Sequence, residues 1–169
     1  MEILSRIISH TPTWIFALFA FVLFMGARRM RTSVQSTGRV WLIPGVFIIW
    51  GLYGLVTRPG PLGPVLMDWA VGAVVGLGLA SFATIRVEVD REHGLVRQPG
   101  SWVPLVRNLF LFGAHYILNV LAAVRPDLHD VAIALDIGVS GFSVGYFAGW
   151  SWGFIQSYRR APDVALAAT

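Results

Sequence analysis

Cysteine is absent from the 169 residues, which excludes disulfides, thiol redox chemistry, thiolate metal sites and covalent haem attachment through C-x-x-C-H. Lysine is absent too, so all 13 basic residues are arginine. Charged residues make up only 13% of the chain, against 56% hydrophobic residues and a mean hydropathy of +0.67. That balance lies outside the soluble range and predicts one all-α membrane domain over residues 1–169. No tail reads as a separate soluble domain.

What is present is five apolar runs, which predict transmembrane helices at about 13–27, 40–56, 65–83, 103–124 and 131–158. Phe24 to Ala27 offers no A-x-A-like cleavage site, so the first run is kept as a helix with Trp14 at its outer end. Trp41 and Tyr53 bracket the second, whose roughly 17 residues reach only ~25 Å, near the lower limit for a span. Met1 to His10 has amphipathic spacing and predicts a short interfacial helix or turn. Thr57 to Pro64, with three prolines, predicts an outer turn that cannot continue a helix. Between the third and fourth runs, Ile85, Val87 and Val89 alternate, Glu92-His93-Gly94 reads as a turn, and Leu95 and Val96 follow. This predicts a short cytoplasmic β-hairpin at about 85–98. The alanine-rich tail after Pro162 is expected to be disordered.

Arginine placement sets the orientation. Arg28, Arg29, Arg31 and Arg39 share a side with Arg86, Arg91, Arg97, Arg159 and Arg160, whereas Arg6, Arg58 and Arg125 fall on the other. By the positive-inside rule the N-terminus is outside and the C-terminus cytoplasmic. The net charge of +4 is therefore topological and calls for no nucleic-acid partner. Arg107, inside the fourth run, reads as a side chain that snorkels to the inner interface.

Gly141, Gly145, Gly149 and Gly153 recur every fourth residue in the last run, leaving one helical face without side chains. Gly72, Gly76 and Ala80 form a matching small-residue row on the third helix, its natural packing partner. A second stripe on the last helix holds Asp136, Ser140 and Ser143. On the fourth helix, Asn108, His115 and Asn119 fall at i, i+7 and i+11 and share a face. Because the two helices run in opposite directions, Asp136 and Ser140 come to the depth of Asn119 and His115. A carboxylate in hydrocarbon needs a partner, and His115 is the obvious one. Asp68, about one turn inside the third helix, reads as an interfacial carboxylate.

Three readings of this cluster compete. One is an interhelical polar clamp that fixes helix register. Another is a proton or ion conduit that loads and releases a proton at the Asp-His pair, although no continuous file of titratable groups leads from it to the cytoplasm. The last is hydrolytic: Gly138-Val139-Ser140-Gly141 fits G-x-S-G and His115 with Asn119 fits H-x-x-x-N, which resemble pieces of the rhomboid intramembrane proteases. In that resemblance Ser140 is the nucleophile, but no histidine follows His129 to act as the dyad base. His10, His93, His115 and His129 occur singly, so no metal or haem cofactor is expected.

The segment TIRVEVDREHGLVRQPGSWVPLV precedes a helix with His115-Tyr116 and a glycine-rich last helix. With the arginine-rich loop leading into Trp41-Leu42-Ile43-Pro44, it resembles the CcdC-like group of small bacterial inner-membrane proteins. Some members of that group are associated by name with cytochrome c biogenesis. The resemblance implies a multi-pass protein of the bacterial inner membrane and brings no catalytic residues. The expected function is a non-enzymatic assembly or interaction component, self-associating or joined to another membrane protein through surplus small-residue faces such as Gly51 and Gly54.

Overall fold

A computed structural model describes residues 11–57 and 61–166; the expected interfacial segment Met1 to His10 lies outside them. The chain is mostly helical. Helix α1 (Thr13–Arg28) is followed by strand β1 (Ser33–Ser36), a single helical turn α2 (Thr37–Val40) and α3 (Leu42–Thr57). Then come α4 (Leu62–Ser81), β2 (Glu88–Asp90), β3 (Leu95–Gln98), α5 (Val103–Val124), a 3-10 turn (Pro126–Leu128) and α6 (His129–Arg160). Four helical segments are long and apolar enough to cross a membrane: Thr37–Thr57, Leu62–Ser81, Val103–Val124 and Pro126–Arg160. The fifth, α1, is apolar but has 16 residues.

Two expectations about helix ends need correction. Residues 62–64 belong to α4, not to the turn before it, because Pro64 lies in the first helical turn, where its missing N–H has no intrahelical carbonyl to bond. The second span is also longer than expected. The turn α2 leads into α3 through the Gly45 N–H bond to the Trp41 carbonyl, and together they give 21 residues, ~31 Å at the usual rise.

Helix α6 is the hub, with α3, α4 and α5 against it and α1 packed on α5. Asp130 in its first turn and Arg159 and Arg160 in its last turn oppose the helix dipole at either end. Among the described helices the seam with α4 is the tightest. A Cβ at Gly141 or Gly145 would run into the backbone of Trp69 or Ala73, and one at Gly72 or Gly76 into that of Gly138 or Phe142. Backbones this close exchange dispersion contacts along their length, which in lipid replaces hydrophobic burial as the source of association. Gly149 meets Ala80 and Leu77, and Gly153 faces Ile85, so the same face runs on to the sheet end. Gly51 of α3 abuts Val144 of α6, which uses that small-residue face inside the bundle.

At the sheet end the expected two-stranded hairpin is three-stranded and antiparallel, in the order β1-β3-β2. The extra strand comes from the arginine-rich first loop, with Val34 opposite Arg97 and Gln35 opposite Val96. A lone two-stranded ribbon is marginal, and the third strand supplies what the hairpin lacks. Gly94 takes the left-handed conformation (φ 63°) that closes the turn, and its carbonyl accepts the Thr37 N–H. Val96, Val40 and Phe154 form a buried cluster under Trp41, Ile85 and Trp150, which seats the sheet on the end of α6.

The tail is ordered up to Leu166, contrary to the expected disorder. Asp163 bridges to Val89 in parallel, the Val164 N–H donates to the Val89 carbonyl at 2.9 Å, and the Leu166 side chain is buried. Arg91 joins the parts: its guanidinium donates to the Tyr158 and Ala161 carbonyls at 3.0 Å each, satisfying groups the helix end leaves open.

Candidate functional site

Two polar regions lie along α5, about two turns apart. The first is the His115 cluster. His115 Nδ1 lies 2.5 Å from Asp136 Oδ1, and Asn119 Nδ2 donates to the same oxygen at 3.2 Å and to the His115 carbonyl at 2.8 Å. The Asp136 side chain is 3% exposed and that of His115 is 38% exposed, so the pair has a sealed acid and an accessible imidazole. Next to it, Tyr116 shares a 2.6 Å hydrogen bond with Thr11, tying α5 to the start of α1.

Two residues expected in this cluster are elsewhere. Ser140 faces α3, where its Oγ lies against Gly51 and Gly54. One i+4 step turns a side chain by ~40° about the helix axis, enough to swing Ser140 from α5 toward α3. Asn108 accepts from Arg107 Nε at 3.2 Å and Nη2 at 3.1 Å. It shares a helical face with His115 but sits seven residues, ~10 Å, along the axis, beyond the reach of Asp136. Ser143 donates to the Val139 carbonyl of its own helix at 3.1 Å, and Asp68 stands at the edge of a groove described below.

The other two described histidines are held structurally. His129 Nδ1 donates to the Ala122 carbonyl at 3.0 Å across the turn between α5 and α6, and His93 packs on Asp90 at 3.0 Å. Among the described residues no three His, Asp or Glu side chains gather where they could hold a metal ion.

The second region is a cavity of about 360 Å³ between the sheet and the helix ends. Arg29, Arg31, Arg86 and Arg107 line it, with Ser33, Thr84, Ser101 and Asn108 among the polar neighbours. None of the described lining residues carries a carboxylate. Arg29 Nη1 donates to Gln98 Oε1 at 3.0 Å, and burial holds its pKa below the ordinary guanidinium value, although an arginine stays cationic. Arg107 does not snorkel freely. Its guanidinium lies 4.5 Å from the ring centre of Phe147 and 5.3 Å from that of Tyr146, both on α6. These arginines come from the C-terminal cap of α1, the first loop, the segment before β2 and α5. Counting charge by side of the membrane could not show that they converge.

Beside this cavity runs an apolar groove of about 1040 Å³ with α6 as its floor and α4 and α5 as its walls. Phe82, Ala83, Val103, Arg107 and Tyr146 line both spaces, so the two are adjacent. No sequence feature announced the groove. It exists because α4 and α5 each grip α6 and leave a gap between themselves.

No curated protein and no solved structure matches the chain. A family model does match, over residues 1–165, and the chain belongs to the Family of unknown function (DUF6622).

Proposed function

We propose that this is a five-span protein of the bacterial inner membrane, N-terminus outside and C-terminus cytoplasmic, acting as a non-enzymatic assembly or interaction component. The arginine asymmetry supports the orientation, because the sheet, the first loop and the end of α6 share one end of the bundle and carry most of the positive charge. Counting α1 as a span makes five and puts the two termini on opposite sides. The motif likeness to the CcdC-like group fits this placement.

The observation that carries the non-enzymatic reading is the closed hydrogen bonding of Asp136. Its carboxylate is buried against His115 and Asn119, and Ser140 is turned to another helix. Such a cluster sets the register of α5 on α6 and contributes about 0.6–2 kcal/mol in a membrane. A serine nucleophile needs its base within hydrogen-bond reach, and Ser140 Oγ instead lies against Gly51 and Gly54 of α3.

The conduit is the second reading, favoured by the 38% exposure of the His115 side chain, through which a proton could reach Asp136. Against it stands the arginine-lined cavity, whose positive field opposes protons and cations moving along α5. Asp136→Asn in liposomes separates the two. The clamp predicts unchanged proton permeability and a modest loss of stability. The conduit predicts a flux in the parent protein that the substitution abolishes. A fluorophosphonate probe should leave Ser140 unlabelled, and crosslinking in mild detergent tests association with a second copy.

A further inference from the structure

Four arginines line one cavity, and none of the described residues lining it carries a carboxylate. Bringing like charges together in a partly desolvated space costs free energy, which an anion in that space would recover. Arginine suits a phosphate in particular, through bidentate donation at short range. Serine and threonine hydroxyls and the Asn108 amide stand among the arginines as further donors.

On its apolar side the cavity abuts the groove between α4 and α5, with Phe82, Ala83, Val103, Arg107 and Tyr146 lining both. The groove extends from Phe82 back to Asp68 along α4, ~21 Å at the usual rise, against ~15 Å for one leaflet of a ~30 Å hydrocarbon core. Its walls include Val71, Val75, Val106 and Phe110, all exposed and apolar. Phe82, 84% exposed, stands where the charged and apolar parts join. An arginine-lined pocket at the level of the headgroups and a leaflet-long apolar trough at the level of the chains match a molecule with an acidic head and an acyl tail. A soluble anion would leave the trough empty, and a neutral lipid would leave the arginines unmatched.

We propose that this protein binds an anionic phospholipid, its phosphate among Arg29, Arg31, Arg86 and Arg107 and an acyl chain in the groove between α4 and α5. The site is independent of the His115 cluster and holds whether or not the non-enzymatic reading does. The proposed orientation determines only that the lipid comes from the cytoplasmic leaflet.

The test is lipid retention by the full chain in a neutral detergent, read by native mass spectrometry. The probes are dioleoyl phosphatidylglycerol, dioleoyl phosphatidylcholine and water-soluble glycerol 1-phosphate. Phosphatidylglycerol should be retained over phosphatidylcholine, and glycerol phosphate should not displace it. Arg107→Gln and Arg29→Gln should each weaken retention about tenfold, the effect of losing one charge-assisted contact. Val75→Trp, which fills the groove from an exposed position without changing charge, should weaken it as well. Arg97→Gln is the control, because Arg97 pairs with Glu88 at 2.8 Å on the sheet, outside the cavity, and retention should be unchanged. Equal retention of the two lipids overturns the proposal. So does displacement by glycerol phosphate, which would make the site one for a free phosphate ester. Unchanged retention in both arginine variants, or an equal loss in Arg97→Gln, also overturns it. Circular dichroism on each variant shows that it is folded, and Arg29→Gln keeps the test decisive if Arg107→Gln disturbs the packing of Tyr146 and Phe147.

Discussion

The two polar regions of α5 solve opposite problems. Around His115, donors and acceptors find one another inside the chain, and the carboxylate at its centre is sealed while the imidazole and the Asn119 amide reach the surface. Around Arg107, donors accumulate and the described lining supplies no acidic acceptor. A polar cluster that completes its own bonds contributes to the fold. One built from a single sign of charge awaits something from outside. Depth separates them too: His115 lies mid-helix, where an unmatched charge is least tolerable, and Arg107 lies one turn from the helix start, where headgroups and water are near.

The comparison depends on α6, the wall both regions share, and the largest predicted effect comes from prising it off α4. In Gly141→Val the new Cβ would meet the Trp69 carbonyl and Cα, which are backbone atoms and cannot rotate away. The expected loss is at or above the upper end of the usual overpacking range of about 1–3 kcal/mol, measured as unfolding in mixed detergent micelles. Gly78→Val is the matched control, because nothing lies within 4 Å of its Cβ position, and it should change stability by no more than about 0.5 kcal/mol. If both variants behaved alike, the seam would not be what holds α6.

A smaller effect separates the regions directly. Asp136→Leu removes the acceptor shared by His115 and Asn119 and should cost about 1–2 kcal/mol while leaving lipid retention intact. Arg107→Gln should do the reverse. It gives up contacts with Tyr146 and Phe147 worth about 2 kcal/mol at a desolvated site but relieves both the burial of a charge and repulsion within the arginine cluster, so the net change in stability should be small while retention falls. A larger stability loss in Arg107→Gln than in Asp136→Leu would erase the distinction between a cluster that folds the chain and one that binds.

The parts of this arrangement that were legible in the sequence are those carried by periodicity within one helix. A glycine every fourth residue faces the same way in any straight helix, so Gly141 and Gly145 had to present backbone to a neighbour, and Gly72 and Gly76 offered the complementary row. The meeting of His115 and Asp136 followed from two antiparallel rises of equal pitch. What periodicity could not supply was azimuth relative to a third helix, which is why Ser140 of α6 faces α3 and not His115. Nor could it show pairing between distant short segments. Ser33 to Ser36 is a polar stretch with no strand signal of its own, extended because β3 offers it an edge. The tail is ordered for the same reason: two backbone bonds and the burial of Leu166 hold a segment whose composition alone reads as loose.

That tail gives the smallest and most local prediction, and it shows that the sheet end satisfies its own carboxylates instead of offering them to the arginine cavity. Asp90 is buried and accepts the Leu166 N–H at 2.8 Å, the His93 N–H at 2.9 Å and His93 Nδ1 at 3.0 Å. The Leu166 and His93 backbone donors, in that order, hold its pKa below the ordinary carboxylate value of 3.8, aided by the His93 side chain and opposed by burial. A depressed carboxylate contributes its full stabilisation above the unfolded pKa and loses it as pH falls through the lower, folded one. Docking of the tail through Asp90 should therefore persist down to about pH 4 and be lost only below the ordinary carboxylate range. Hydrogen-exchange protection of the Leu166 amide reports it directly. Asp90→Ala should lower that protection at neutral pH, while the Val164 amide, bonded to the Val89 carbonyl, should be affected less. If Leu166 stayed protected in Asp90→Ala, burial of its side chain would be what fixes the tail.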